Sequence, residues 1–385
     1  MSLSKPPQTQ LPAVFPESFI LCYTIHVEKI SSPDGIVLLA KRPGPTSFTS
    51  LNSVKKALNT TKVGHTGTLD SFAQGLLVVC TGRLTKLAGN ITAFDKSYQA
   101  VIKFGEETDT LEYTGSVIKE APLPTQKSLE AALLKFTGSI LQRPPAFSAI
   151  HVNGKRASEL AREGKSAELP ARPVKVYDAQ IKDIKLSSDG LVQYALIDFS
   201  VSKGTYIRSL ARDIAYECGS AAHLTGLYRT KVGNFKIEDA AGYKQLNSFS
   251  IENAITQSQA FLKQEEEARK IAQAETGVKS EKKNERRLFV ITPEETLLQE
   301  EIRTTLRPLS PGTAAECGFE TITIASASAQ EDFFNGKKLV SKMFTESLWN
   351  YPAGSQLAVF NKEEQFLGLI SKDENGRPGY RFVLN

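Results

Sequence analysis

The chain has 385 residues, with 47 Lys and Arg against 42 Asp and Glu and a formal net charge of +5. At about 150 residues per domain that is room for two to three domains, and 41% hydrophobic with 23% charged residues is ordinary globular usage, which excludes wholesale disorder. No apolar run approaches the ~20 residues that span a bilayer, the four cysteines form no CxxC pair and the four histidines no HxxxH spacing, so the expectation is a soluble cytoplasmic protein with reduced thiols and no metal centre.

Residues 1–32 read as an N-terminal extension. The apolar stretch 18–27 is preceded by Glu17 and followed by no small-residue cleavage pattern, unlike a secretory signal. Residues 35–40 form a short continuous apolar run after Pro33-Asp34-Gly35, the pattern of a buried strand. A Pro- and Gly-rich loop follows over 41–47, with Ser47 placed to cap a helix over 51–58. Residues 62–75 turn sharply, and the apolar run 75–80 is a core strand or the start of a helix.

Further on, 98–105 reads as a strand, 106–115 as its polar turn and 129–136 as a short helix. Strands at 177–186 and 191–201 pair around Ser188-Asp189-Gly190, and Ile207, Leu210 and Ile214 carry helical spacing over 206–218. Strands and helices mix without a βαβ rhythm, which favours an α+β fold. From 261 to 287 charge dominates, the texture of a solvated helix or a linker, with an RNA-touching basic arm as the alternative. Beyond residue 313 strands return at 321–324, 356–360 and 365–370, the last two joined as a hairpin through Asn361-Lys362-Glu363-Glu364, in a small β domain of about seventy residues.

The chemistry-bearing stretch is Gly64-His65-Thr66-Gly67-Thr68-Leu69-Asp70. Its glycines allow close backbone approach, and a carboxylate at the edge of an apolar run is either a helix cap or a reactive group. Residue type and spacing leave both open, and His65 reads equally as a backbone-bonded loop histidine.

Together with Asp95-Lys96-Ser97-Tyr98, Thr108-Asp109-Thr110, Arg143-Pro144-Pro145-Ala146-Phe147-Ser148-Ala149, Ser202-Lys203-Gly204-Thr205-Tyr206-Ile207-Arg208 and His223-Leu224-Thr225-Gly226-Leu227-Tyr228-Arg229, this stretch resembles the TruB family of tRNA pseudouridine synthases. The motifs fall in the family's order over residues 33–240. The resemblance implies an α+β pseudouridine synthase fold with a central mixed, mainly antiparallel sheet and a C-terminal β-barrel of the PUA-like kind. It also implies isomerisation of uridine to pseudouridine at position 55 in the T loop of tRNA, without a metal or redox cofactor.

By the same resemblance Asp70 acts at the sugar C1′, as nucleophile or in an elimination route. Tyr98 stacks on the flipped uracil and is a candidate for the proton step, and Arg208 pairs with Asp70. Tyr206 and Leu227 contact the target nucleotide, and His65 enters the T loop in place of the flipped base. Asp109 and Glu112 stand either as support for the site or as surface turn residues. The thumb, about 143–173, supplies Arg143, Lys155, Arg156, Arg162, Lys165 and Arg172 for phosphates. The partner implied is the T arm of tRNA, with no membrane and a monomeric chain.

Two departures lie near the site: Ser71 where the family has Pro, which loosens the turn, and Gln99 where a basic residue is common. The expected organisation is an extension over 1–32, a catalytic domain over 33–255, a charged linker or insertion over 256–310 and a PUA-like RNA-binding domain over 311–385. The rival readings are a tRNA-binding folding chaperone and a pseudouridine synthase for another RNA site.

Overall fold

A computed structural model describes residues 34–384, apart from residue 153 and residues 166–168 and 276–291. The extension read at 1–32 and the middle of the charged stretch lie outside the described residues.

The chain begins with β1 (Gly35–Lys41), α1 (Ser47–Ala57), β2 (Val63–His65) and β3 (Gln74–Thr81). Every residue of β1 and β3 is buried, so both strands read as unbroken apolar runs, and residues 75–80 belong to a strand. Thr46 caps α1, accepting from the Thr49 N–H at 3.1 Å. Ser47, expected in that role, is instead buried and exchanges two hydrogen bonds with the Leu69 backbone.

Next come α2 (Ala88–Thr92), β4 (Lys96–Phe104), the short pair β5 (Glu106–Thr108) and β6 (Val117–Glu120), α3 (Gln126–Lys135) and β7 (Gly138–Gln142). A segment with β8 (His151–Val152), β9 (Lys155–Arg156) and α4 (Ala157–Arg162) leads into the hairpin of β10 (Arg172–Leu186) and β11 (Val192–Val201). The helix α5 (Ile207–Glu217), then β12 (Ala222–Val232) and β13 (Phe235–Lys236), complete the main sheet.

That sheet has nine strands in the order β1-β3-β12-β4-β11-β10-β7, with β2 paired to β3 and β13 to β12. All pairings are antiparallel except β3 with β12, whose parallel register sets Gln74 opposite Tyr228 and Gly75 opposite Arg229. The central strand β4 is flanked by β12 and β11, and α3 and α5 cover one face around Ile102, Phe104, Leu129, Leu210 and Ile214. This mixed, mainly antiparallel sheet with flanking helices is the α+β architecture expected from the sequence.

The charged stretch carries two helices, α6 (Ile251–Glu275) and α7 (Pro293–Thr304). Ile251 and Ala254 of α6 are buried, and Phe261 packs edge-on against Tyr113 with ring centroids 5.6 Å apart. Ile302 of α7 is buried with Leu51 and Val54 of α1, and Arg303 donates to the Ala57 carbonyl at the end of α1. The C-terminal part has α8 (Pro311–Glu316), β14 (Glu320–Thr323), α9 (Ala327–Phe334), β15 (Gln356–Phe360), β16 (Phe366–Lys372) and β17 (Pro378–Val383). Its four strands make one sheet, with β14 parallel to β15 and the rest antiparallel. Ala358, Phe360 and Leu369 share a core with Ile36, Leu38 and Val78 of the main sheet, so the two sheets stabilise each other by apolar burial. Among the described residues no helix is long and apolar enough to cross a membrane.

Candidate active site

The loop from Thr66 to Ala73 connects β2 to β3 and carries Asp70, and it is held from three sides. Ser47 of α1 clamps Leu69 through both its backbone groups, at 2.8 and 3.0 Å. Lys41, only 1% exposed at the end of β1, donates to the carbonyls of Arg42, Ser71 and Ala73 at 3.0, 3.1 and 2.7 Å. Burial pushes its ammonium down to about 7, a shift opposed by the Asp70 charge and reinforced by Arg229. From below, Arg229 donates to the carbonyls of Gly67, Thr68 and Leu76. Ser71 therefore does not free the turn: its carbonyl also accepts the Gly44 N–H at 2.8 Å.

Against this loop stands α5. Tyr206 is its N-cap residue, and Arg208, in its first turn and 5% exposed, reaches across to Asp70. Arg208 Nη2 donates to Asp70 Oδ1 at 2.9 Å and to the Phe147 carbonyl at 3.0 Å, while Nη1 donates to the Thr110 carbonyl at 2.9 Å. The Asp70 side chain keeps 32% of its surface open, against 6% for Arg208, so the carboxylate is oriented yet accessible.

A cleft of about 310 Å³ opens at this pair, walled by Asp70, Tyr98, Tyr206, Arg208, Leu227 and Arg229 among others. It is at the small end of the range of about 300–1,000 Å³ typical of ligand sites. Tyr98 rises from β4 and Leu227 from β12, strands paired in the sheet. Burial raises the Tyr206 phenol above its ordinary range, and the nearby Arg208 charge opposes that.

Five of the six residues singled out in the sequence thus converge on one cleft. The sixth, His65, sits on β2 outside the cleft wall, half-buried, with Nδ1 accepting the Gly67 N–H at 3.4 Å. Burial, aided by Arg229, lowers its pKa below the usual imidazole value. The geometry also separates the two acids left open. Asp109 bonds the Ser116 N–H on an exposed turn, whereas Glu112 is 9% exposed and accepts from Thr114 at 2.8 Å. Burial and, next, the Asp70 charge push the Glu112 carboxyl upward.

Three further residues at the site received no role from the sequence. Arg229 and Lys96 line the cleft, and Gln142, 1% exposed at the end of β7, pairs its amide with both backbone groups of Tyr206 at 2.8 and 3.1 Å. Lys96 and Arg229 stand inside motifs that carry the resemblance, whereas Gln142, at the end of the half-exposed strand β7, leaves no sequence signal. The six cations expected of the thumb are all exposed, and Glu163 pairs with two of them, Lys155 and Lys165.

Comparison with known proteins places this architecture. The profile described as "TruB family pseudouridylate synthase (N terminal domain)" matches residues 55–207. A Treponema denticola protein named tRNA pseudouridine synthase B is 42% identical over 372 residues, covering 91% of this chain and 98% of that protein. A Borrelia garinii subsp. bavariensis protein of the same name is 44% identical over 219 residues, 57% of this chain and 76% of that one. Among solved structures, the chain resembles one in a Cbf5-Nop10-Gar1 complex at a TM-score of 0.56 and 22% identity, covering 91% of this chain and 85% of that one, a likeness of fold. Ordered motifs, a shared fold and a relative matched over nearly its whole length agree, and the chain belongs to the TruB family of pseudouridylate synthases.

Proposed function

We propose that this protein isomerises uridine to pseudouridine in tRNA, at position 55 of the T loop, with Asp70 acting at C1′ of the target nucleotide. The observation that carries the reading is the Asp70 carboxylate, fixed by Arg208 at 2.9 Å yet open to a cleft beside Tyr98 and Leu227. The names of the Treponema and Borrelia relatives supply the tRNA.

The reaction breaks the N1–C1′ bond, turns the base and joins C5 to C1′, and C5 then loses its proton. A carboxylate serves either route, by bonding to C1′ or by taking the C2′ proton in an elimination. The base must leave its stack to reach the cleft, and an aromatic wall such as Tyr98 gives it a new stacking partner. Tyr206 and Leu227, both in the cleft wall, contact the nucleotide. His65, on β2 outside the cleft wall, enters the T loop where the base has left.

The exposed cations between Arg143 and Arg172 grip the T-arm phosphates as a thumb. The C-terminal sheet over 311–385 acts as a PUA-like module on the same RNA. The charged segment 256–310 is an insertion between these two domains, and residues 1–32 are an extension. The protein works as a cytoplasmic monomer.

An unmodified tRNA transcript incubated with the protein and then probed for carbodiimide adducts by primer extension tests this. A stop specific to position 55 is expected. Binding of the transcript without any uridine converted would establish the chaperone reading instead. A stop elsewhere would establish a different RNA site.

A further inference from the structure

Arg229 has so far only braced the Asp70 loop, yet it is the most deeply placed cation at the cleft, 2% exposed on β12. Its cross-strand partner on β4 is Tyr98, and both line the cavity that holds Asp70. Nε donates to the Leu76 carbonyl at 2.8 Å, Nη1 to Thr68 at 3.3 Å and Nη2 to Gly67 at 3.1 Å. The Tyr98 side chain lies beside it and opposes the loss of its charge.

Those partners are neutral groups. The ion pair at the cleft is Arg208 with Asp70, and among the described residues Arg229 has no carboxylate in salt-bridge contact. Its charge is felt by its neighbours, where it lowers the pKa of Lys41, His65 and Lys96. The cleft wall carries Lys96, Arg208 and Arg229 against one carboxylate, Asp70, which Arg208 already engages. A guanidinium taken out of water with no carboxylate in contact is costly, and the Asp70 charge relieves that only in part. A brace alone needs no such charge, since a neutral side chain also donates to carbonyls. The site holds positive charge in reserve at its floor, and it is too deep to meet a backbone phosphate.

The reaction proposed above, on which this inference rests, generates an anion at that place. When the N1–C1′ bond breaks, its electron pair stays on N1 and the uracil becomes an anion spread over N1, O2 and O4. We propose that Arg229, across the strand pair from Tyr98 in the cleft wall, stabilises this uracil anion through its field. Arg229 keeps all its protons throughout. The anion is consumed when C5 forms its bond to C1′, and the proton lost from C5 balances the one gained at N1. No co-reactant enters.

The test is the single-turnover rate on T-arm RNA carrying either uridine or 4-thiouridine at the target position. The thio base disperses negative charge better, so it leaves more easily, and it keeps its C5 hydrogen. Arg229→Gln is expected to slow the uridine substrate by about 100-fold or more, the scale of losing a preorganised electrostatic group. It should slow the thiouridine substrate by a clearly smaller factor. Arg229→Lys retains the charge and is expected to stay within about tenfold of wild type on both substrates, by the same electrostatic reasoning.

Equal losses on both substrates in the Gln variant would overturn the inference and leave Arg229 as a structural brace. If the Gln variant fails to fold, as judged by thermal unfolding, the Lys variant decides: a loss near 100-fold on both substrates overturns the inference, and near-wild-type rates support it. Wild-type protein that converts neither substrate would instead sink the functional reading itself.

Discussion

Arg208 Nη2 donates at once to Asp70 Oδ1, at 2.9 Å, and to the carbonyl of Phe147, at 3.0 Å. One guanidinium thus ties the loop before β3 to the segment that follows β7, and its Nη1 adds the Thr110 carbonyl. Lysine presents a compact point charge in place of that planar fork and cannot hold all three partners in this geometry. Arg208→Lys is expected to lower the single-turnover rate by about 100-fold, since misplacing a reacting group by about 1 Å has that scale. Filter binding of tRNA should change little. A variant that keeps full rate would show that the carboxylate needs no such anchor.

Gln142 makes a related tie, with its amide standing in for a backbone partner of Tyr206. Gln142→Ala leaves the Tyr206 N–H unpaired, worth about 1–3 kcal/mol, while the Tyr206 carbonyl keeps the Leu210 N–H at 3.0 Å. A fall in thermal unfolding temperature together with about a tenfold slower turnover is expected, because the start of α5 sets where Arg208 points. Unchanged turnover in a destabilised variant would limit Gln142 to holding the fold.

Glu112 links stability to pH. Its carboxyl is raised from 4.5 to about 7, by burial first and by the Asp70 charge second. Between those values the native state retains a proton that the unfolded chain has released. The contribution of this group is therefore fully present below the unfolded value and fades as pH rises through the folded one. Glu112→Gln removes that dependence and should gain on wild type between pH 5 and pH 8, by up to about 3 kcal/mol. Urea unfolding at the two pH values measures it. Parallel changes in both proteins would contradict the assignment.

Gly75, the second residue of β3, lies beside Arg229 at φ +119°, and a Cβ there would lie 2.4 Å from the Arg229 carbonyl oxygen and 2.6 Å from its nitrogen. Both obstacles are backbone of the paired strand, so no rotamer change relieves them. Gly75→Ala is expected to destabilise the protein by about 2–4 kcal/mol, from overpacking together with a disfavoured backbone angle. A loss under about 0.5 kcal/mol, the scale of an ordinary surface change, would mean that the strands move apart easily.

The parts of the fold governed by apolar pattern were legible in the sequence. The strands β1 and β3 are buried on both faces and leave continuous apolar runs, and Ile207, Leu210 and Ile214 mark the inner face of α5. Hydroxyl neighbours were harder. Thr46 and Ser47 are both able caps, and only the packing of Leu69 assigns Ser47 elsewhere. Asp70 and Arg208 stand 138 positions apart, so their pairing was available only through family motifs. Gln142 leaves no mark in residue type, because its partners are main-chain groups 64 positions away. Arg229, although inside a family motif, shows no role there because its main-chain partners lie up to 162 positions away.

The central claim is that Asp70 performs the chemistry. Its most direct test uses tRNA transcribed with uridine tritiated at C5, since isomerisation at one position releases one C5 hydrogen to water. Wild-type protein is expected to release one equivalent of tritium per tRNA. Asp70→Asn, equal in size and lacking the charge, should bind the tRNA as wild type does and release none. Release by the Asn variant at the wild-type rate would contradict the account.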